Sequence, residues 1–474
     1  MIDEILVSVS PGETRIACRA GGKAVELHRF LHGRTALAGH VYLGRIARVV
    51  PGMGAAFVEI GAPKAGFLPL PRDPAARAGL HEGARVLVQI TREPERGKGA
   101  QLSIEFRLPG RLLVYAPKGN CVHVARRIGT DDAEVQRLAA LVSSFARADE
   151  GWIVRTAAAG AFRSELEKEA EALRAEWRSA ELTGRDAVPP ALVYGAPSPI
   201  ARVLRDKYGT HVNRIVIDDR SAFAVAEDFL GTHAPEAGAH LSLYRERIPL
   251  FEAEGVEEEF ESLLQRRVPL PCGGTLMIEH TEALWAIDVN TARNIAGSSV
   301  EASILATNLE AAAEVARQIR LRDLAGLIVV DFVHMDDALM RDRVRDALKS
   351  ALADDPSPVR MAGFSDLGLV ELSRRRTRPP IAEDLESACP ACRGEGAIRA
   401  PLATALAAVR AAAVEARLEH APANPVRIAV APTVVEAFGS IEGAAALDEL
   451  EQRLGRSVEI VADSTLAPDR FTLL

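Results

Sequence analysis

The sequence predicts an α/β protein of the multidomain, α+β kind, and three observations carry that expectation. Short strands punctuated by glycine crowd the first hundred residues, a strand–helix–strand unit with an aspartate closing each strand lies in the middle, and a Cys-x-x-Cys pair stands ahead of a small α/β tail. With 474 residues, 48% of them hydrophobic and 26% charged, the chain suits several ordinary globular domains with ample cores. The formal net charge of −8 argues against a protein that coats nucleic acid non-specifically, yet leaves room for a local basic groove. No apolar run approaches the ~20 residues that span a bilayer. The start, Met1-Ile2-Asp3-Glu4-Ile5, lacks the basic and apolar regions of a signal peptide. A cytoplasmic location without a membrane span is therefore expected.

Taken in order, Glu13 to Phe30 alternates about Gly21-Gly22 and reads as a hairpin. Val41 to Val50, Ala55 to Ile60, Gly66 to Pro69 and Val86 to Thr91 follow as short strands with glycine turns, the pattern of a small barrel. Phe57 and Phe67 stand there among Arg45, Arg48, Lys64, Arg92, Arg96 and Lys98. Aromatic faces stack on unpaired bases while cations follow phosphates, so this mixture suggests single-stranded RNA; the competing reading makes both phenylalanines barrel core. From Gly110 to Pro199 the patterns are helical, Phe162 to Thr183 above all, with a short strand Trp152-Ile153-Val154 running into Arg155-Thr156. An arginine beside a hydroxyl at a strand end can hold a phosphate. Arg126-Arg127 is a second basic pair that serves equally well as solvated surface. Asp186 to Pro199, rich in Pro, Gly and Ala, marks a boundary. Beyond it, Val203-Leu204, Arg214 to Ile217 and Leu241 to Leu250 are expected to complete a sheet with the N-terminal hairpin, which makes the barrel an insertion.

Asp288 closes the apolar run Ala283 to Ile287, and Asp331 closes Gly326 to Val330. Between them, Leu305, Leu309, Ala312, Ala316 and Ile319 fall on one helical face, so strand, helix and strand bring the two carboxylates to one sheet edge. Two carboxylates and a phosphodiester suit a hard cation such as Mg²⁺, and metal-assisted phosphodiester cleavage is the chemistry this suggests. An aspartate at a strand end also caps a turn, the structural alternative for either residue alone. Asn290, two residues past Asp288 and on its face, can orient a carboxylate or water, and Arg293 can hold the scissile phosphate. The basic run Arg374-Arg375-Arg376 is expected close to the aspartates, where it would neutralise phosphate charge.

Of five cysteines, Cys389 and Cys392 stand apart in Cys-Pro-Ala-Cys-Arg-Gly-Glu-Gly, a zinc-knuckle pattern. Structural zinc takes four ligands and the pair supplies half, so a second copy of the chain is expected to supply the rest. A redox-active dithiol is the competing reading, although no thioredoxin-like strand and helix flank the pair. After Pro401 come an Ala-rich helix up to His420, a strand at Val426 to Ala431, a helix at Ala444 to Leu454 and a strand at Val458 to Val461.

These residues resemble the ribonuclease E/G family of bacterial endoribonucleases, nearly end to end. The resemblance rests on Ala55-Ala56-Phe57-Val58, Gly66 to Leu70, Ile153 to Ala157, Thr281 to Leu284 leading into Asp288-Val289-Asn290, Thr307 to Ala312, Arg320 to Leu324, Gly326 to Phe332, Gly368 to Glu371 and Cys389 to Cys392. It implies one Mg²⁺ per site on Asp288 and Asp331 with Asn290 assisting, RNA held by Phe57, Phe67 and Lys98, a 5′-monophosphate pocket at Arg155 and Thr156, and Zn²⁺ on Cys389 and Cys392 shared with a partner chain. It implies hydrolysis of single-stranded, A/U-rich RNA in rRNA and mRNA processing, a homodimer or homotetramer, and no small-molecule cofactor. The expected domains are a ribonuclease H-like subdomain (1–35 with 200–264), an OB/S1-type barrel (36–112), a 5′-phosphate sensor region (113–199), a DNase I-like catalytic subdomain (265–388), the zinc link (389–396) and a small α/β oligomerisation domain (397–474). Ending after the catalytic half, the chain resembles the ribonuclease G branch more than the one with a long scaffold tail. It departs from the family at His334, where an acid is usual, at Asn294 to Ser298, at Asp366 and at Pro358. These departures bear on 5′-end sensing more than on cleavage. A non-catalytic RNA-binding protein with vestigial aspartates and a zinc-linked scaffold are the alternatives from other functional classes.

Overall fold

Ile5, Val7, Ile16 and Cys18 point to one side of an antiparallel meander made by Glu4–Ser10 (β1), Glu13–Ala20 (β2) and Lys23–Leu31 (β3). The computed structural model describes residues 2–33, 37–71, 73, 77, 79–94, 99–125, 128, 132–209, 211–291, 300–378, 380–387, 389–392, 394, 396–415 and 426–474. The chain divides into two units, Met1–Ile381 and Ala382–Leu474.

In the larger unit the chain leaves β3 for a closed five-stranded barrel: Val41–Val50 (β4), Ala55–Glu59 (β5), Gly66–Pro69 (β6), Arg85–Arg92 (β7) and Gln101–Ser103 (β8). The ring closes through β4–β5, β5–β6, β6–β8, β8–β7 and β7–β4. Closure removes free sheet edges, and Ile46, Val58, Leu68, Ile90 and Leu102 fill the interior. Next comes a four-stranded sheet of Leu108–Pro109 (β9), Leu113–Ala116 (β10), Val122–Val124 (β11) and Gly151–Val154 (β12), packed against Asp132–Phe145 (α1) and Arg163–Asp186 (α2) around Trp152, Leu166 and Trp177. Helical spacing alone does not reveal this sheet, because strands of two to four residues are too short to show alternation. Ala191–Tyr194 (β13) then returns to pair with β4.

Pro199–Lys207 (α3) and Arg220–His233 (α4) cover the first sheet, which Arg214–Ile217 (β14) and Leu241–Leu243 (β15) complete in the order β15-β14-β1-β2-β3. The barrel and the four-stranded sheet thus interrupt a single sheet in sequence but not in space.

The last sheet of this unit holds Arg267–Pro269 (β16), Thr275–His280 (β17), Leu284–Asn290 (β18), Gly326–Asp331 (β19), Val359–Phe364 (β20) and Leu369–Arg374 (β21), ordered β16-β17-β18-β19-β21-β20. Val300–Leu321 (α5) and Ala338–Ala351 (α6) pack against it. Ile287, Val289, Ile328, Val330, Val370 and Leu372 face the helices, each burial worth about 1.5–3 kcal/mol. Alternation sends Asp288, Asn290, Asp331 and Glu371 to the opposite, exposed face.

The smaller unit packs Pro401–Glu415 (α7), Pro432–Phe438 (α8) and Ile441–Leu454 (α9) on a three-stranded sheet of Val426–Val430 (β22), Val458–Ala462 (β23) and Phe471–Leu473 (β24). Ala405, Ala408 and Ala412 let α7 approach closely.

Candidate active site on an open sheet face

Strands β18 and β19 run parallel, and their register pairs Leu284 with Leu327, Ile287 with Val330 and Asp288 with Asp331. Neighbouring strands lie about 4.8 Å apart and register partners point the same way, so the two carboxylates stand side by side. Both are exposed. The Asn290 amide Nδ2 donates to Asp288 Oδ2 at 2.6 Å and restrains that carboxylate. Gly274, beside this strand end, lies so near the main chain that a Cβ there would come within 2.7 Å of the Asn290 carbonyl oxygen, which demands glycine. Among the described residues no three His, Cys, Asp or Glu side chains converge on one point. The donor set is therefore two carboxylates with an assisting amide, which suits a hard cation that keeps water and substrate oxygens as further ligands. His334, in the loop that follows, approaches Asp336 at 3.1 Å through Nε2, with both side chains almost wholly exposed.

Phe57 and Phe67 are register partners on β5 and β6, edge to face with centroids 6.0 Å apart. Neither belongs to the barrel core; both are half-buried on its outer surface, and exposed Arg48 pairs with Phe57 from β4. Lys98, Arg96, Arg293, Arg126, Arg127 and the segment Asn294 to Ser298 lie outside the described residues.

Arg155, at the end of β12, donates through Nη1 to the Gly110 carbonyl at 2.5 Å and through Nη2 to Asp206 Oδ1 at 2.8 Å; exposed Thr156 follows it. Burial works to raise the Asp206 carboxyl, but Arg205 and Arg155 outweigh it and hold the group below the usual carboxylate range. Asp206 escapes sequence reading because its partner lies 51 positions away.

The expectation that Arg374 to Arg376 flank the aspartates is corrected by the structure. Strand β21 runs antiparallel to β19, pairing Leu369 with Asp331 and Arg374 with Gly326. Arg374 therefore stands about 17 Å from Asp331 along the strand, at ~3.4 Å per residue. Its guanidinium is buried, donating to Asp355 at 2.8 and 3.0 Å and to the Leu324 carbonyl at 3.1 Å. It braces the far end of the sheet.

On helix α5, fully buried Asn308 donates through Nδ2 to the Val333 carbonyl at 2.8 Å and accepts through Oδ1 from the Val333 N–H at 3.1 Å. The legible signal is a polar residue set in an apolar helical stripe; its partner is not legible. In the smaller unit, Cys389 is exposed, and backbone N–H groups of Cys392 and Ala391 draw its thiol below the ordinary value. That favours the thiolate, the form a metal ion takes. The pair precedes helix α7 instead of sitting at a strand-to-helix turn.

A family model described as "Ribonuclease E/G family" matches residues 107–377, more than half of the chain, and one described as "RNase E/G, Thioredoxin-like domain" matches residues 388–474. Ribonuclease G of Haemophilus influenzae is 34% identical over 99% of each chain, and ribonuclease G of Escherichia coli K12 is 33% identical over 100% of each. Ribonuclease E of Haemophilus influenzae is 32% identical over 97% of this chain and 50% of its own length.

Proposed function

This chain belongs to the ribonuclease E/G family, and we propose that it is a metal-dependent endoribonuclease that hydrolyses single-stranded RNA on the open face of the six-stranded sheet. The observation that carries this reading is the pairing of Asp288 with Asp331 on an exposed face, opposite the one on which helices α5 and α6 pack. Mg²⁺ held by Asp288 and Asp331 would supply Lewis-acid stabilisation of charge at the scissile phosphate. Asn290 keeps the Asp288 carboxylate in one orientation. Water adds to phosphorus as the bond to the 3′ oxygen breaks, leaving a 3′-hydroxyl on one product and a 5′-phosphate on the other. Phe57 and Phe67 offer ring surfaces for unpaired bases, Arg48 meets the backbone charge, and Arg155 with Thr156 receives a 5′-monophosphate. Cys389 and Cys392 donate two thiolates to a Zn²⁺ that a second copy of the chain completes, so the assembly is a dimer or a multiple of it. The substrates are A/U-rich RNAs met in the cytoplasm during rRNA and mRNA processing.

The test is cleavage of an end-labelled single-stranded oligoribonucleotide with Mg²⁺, by the protein itself and by Asp288→Asn and Asp331→Asn. Each substitution is expected to abolish cleavage while RNA binding, followed by fluorescence anisotropy, persists. Cleavage that survives both changes overturns the site. Binding without cleavage by the unaltered protein in Mg²⁺ or Mn²⁺ would make it a non-catalytic RNA-binding member of the family.

A further inference from the structure

Asn308 sits mid-helix, where asparagine is a poor helix former because its amide competes with the backbone. It is 0% exposed. An unpaired amide buried there would cost about 1–3 kcal/mol. The two bonds to Val333 offset that cost, and their geometry copies what a neighbouring strand offers: a donor to one carbonyl and an acceptor for the N–H of the same residue. Val333 needs such a partner. The ladder of β19 ends with Asp331, whose register partners are Asp288 on one side and Leu369 on the other. Phe332 and Met335, each 5% exposed, bury their side chains in the core beneath. The segment leaving Asp331 is thus fixed at three closely spaced points, two by packing and one by hydrogen bonds.

We infer that Asn308 is a positioning residue of this site, holding the backbone of Val333 so that the Asp331 carboxylate stays opposite Asp288. The inference rests on the reading of Asp288 and Asp331 as the hydrolytic pair. The two aspartates are then each governed by an asparagine, by different routes. Asn290 holds the Asp288 carboxylate directly, whereas Asn308 acts through the main chain two residues past Asp331. A cation shared by two carboxylates needs both held within about 0.5 Å of the productive geometry, by packing and supporting hydrogen bonds together.

The experiment uses the full chain with Asn308→Leu, which removes both hydrogen bonds at similar volume, and Asn308→Asp, which keeps an acceptor for the Val333 N–H but loses the donor. Four quantities are measured: Mn²⁺ affinity without RNA by calorimetry, hydrogen–deuterium exchange across 332–335, RNA affinity in chelator, and kcat with KM. Asn308→Leu is expected to weaken Mn²⁺ binding and lower kcat by roughly 10- to 100-fold, the usual effect of removing a group that orients a metal ligand. Exchange at Val333 should quicken while RNA affinity and KM stay as they were. Asn308→Asp is expected to show both losses in smaller measure relative to the unaltered chain, and that comparison decides the matter should Asn308→Leu fail to fold. Faster exchange with unaltered Mn²⁺ affinity and kcat would mean that the contact only stabilises the fold, and would overturn the positioning role. Asp331→Asn separates the two layers. If it loses Mn²⁺ binding and cleavage while Asn308→Leu keeps both, only the positioning role falls; if it keeps both, the site itself falls.

Discussion

A side chain's chemistry depends on the partner it meets, and Arg155 illustrates how far that partner can lie in sequence. Its guanidinium spends Nη1 on the Gly110 carbonyl and Nη2 on Asp206, which sets the plane of the group and leaves its remaining N–H donors for a ligand. If those donors receive a 5′-monophosphate, Arg155→Ala removes at least one charge-assisted hydrogen bond, worth about 1.5–3 kcal/mol. The KM for a 5′-monophosphorylated oligoribonucleotide should then rise about tenfold or more, while the KM for the 5′-hydroxyl form changes little. Parallel steady-state measurements on the two substrates check this, and equal effects on both would remove the sensing role. Asp206→Asn tests the same geometry from the other side, because it frees Nη2 from its ion pair.

At the scale of elements, the β5–β6 hairpin turns two separate phenylalanines into one platform. Phe57 and Phe67 meet edge to face on the outer surface of the barrel, so truncating either removes ring area from solvent and leaves the interior of Val58 and Leu68 intact. Phe57→Ala or Phe67→Ala should therefore weaken RNA binding by about 1–3 kcal/mol per lost stack, with a much smaller change in thermal stability. Anisotropy titrations beside melting curves check it; a large loss of stability with unchanged RNA affinity would assign the rings to packing. The strands themselves are legible because alternation is local. Ile287, Asp288, Val289 and Asn290 announce which two side chains turn outward, and the spacing of Leu305, Ala312, Ala316 and Ile319 announces the helix that covers the other face. Strand direction and register are not local. Arg374 belongs to a basic run that would serve the aspartates if it lay beside them, yet an antiparallel return carries it to the opposite end of β19, where Asp355 pairs with it. For the same reason Asn308 shows itself as a polar break in an apolar stripe, while Val333, 25 positions on, cannot be named from the sequence.

Across the whole of the larger unit, the first sheet and the sheet bearing the aspartates are joined by a buried charged cluster. Glu26 on β3 accepts from Arg320 of α5 at 2.9 Å and pairs with Lys207 at the end of α3; Arg378 meets His28 Nδ1 and pairs with Asp323 at 2.8 Å. Burial, seconded by the charge of Arg378, pushes the His28 imidazole down to about 4, although Glu26 pulls the other way. Lys207 adds to the depression, and Cys18 is the register partner of Glu26 on β2. In the unfolded chain the same imidazole titrates near 6.5. Between those values the unfolded state binds a proton that the folded state refuses, so the stability this group contributes is complete above about pH 6.5 and is lost as the pH falls toward 4. The loss is on the order of 3 kcal/mol, because a tenfold difference in proton affinity between the two states corresponds to about 1.36 kcal/mol. Burial works to raise the Glu26 carboxyl, but His28, Lys207 and Arg320 hold it well below the ordinary carboxylate value, so it adds a further loss only once the pH falls below that ordinary value, beneath the window of His28. Urea denaturation at pH 7.5 and pH 5 should show a marked fall in the midpoint, and His28→Gln, which cannot take up the proton, should flatten that difference while leaving Glu26, Lys207 and Arg320 in place. An unchanged pH dependence in the variant would place the acid sensitivity elsewhere in the fold.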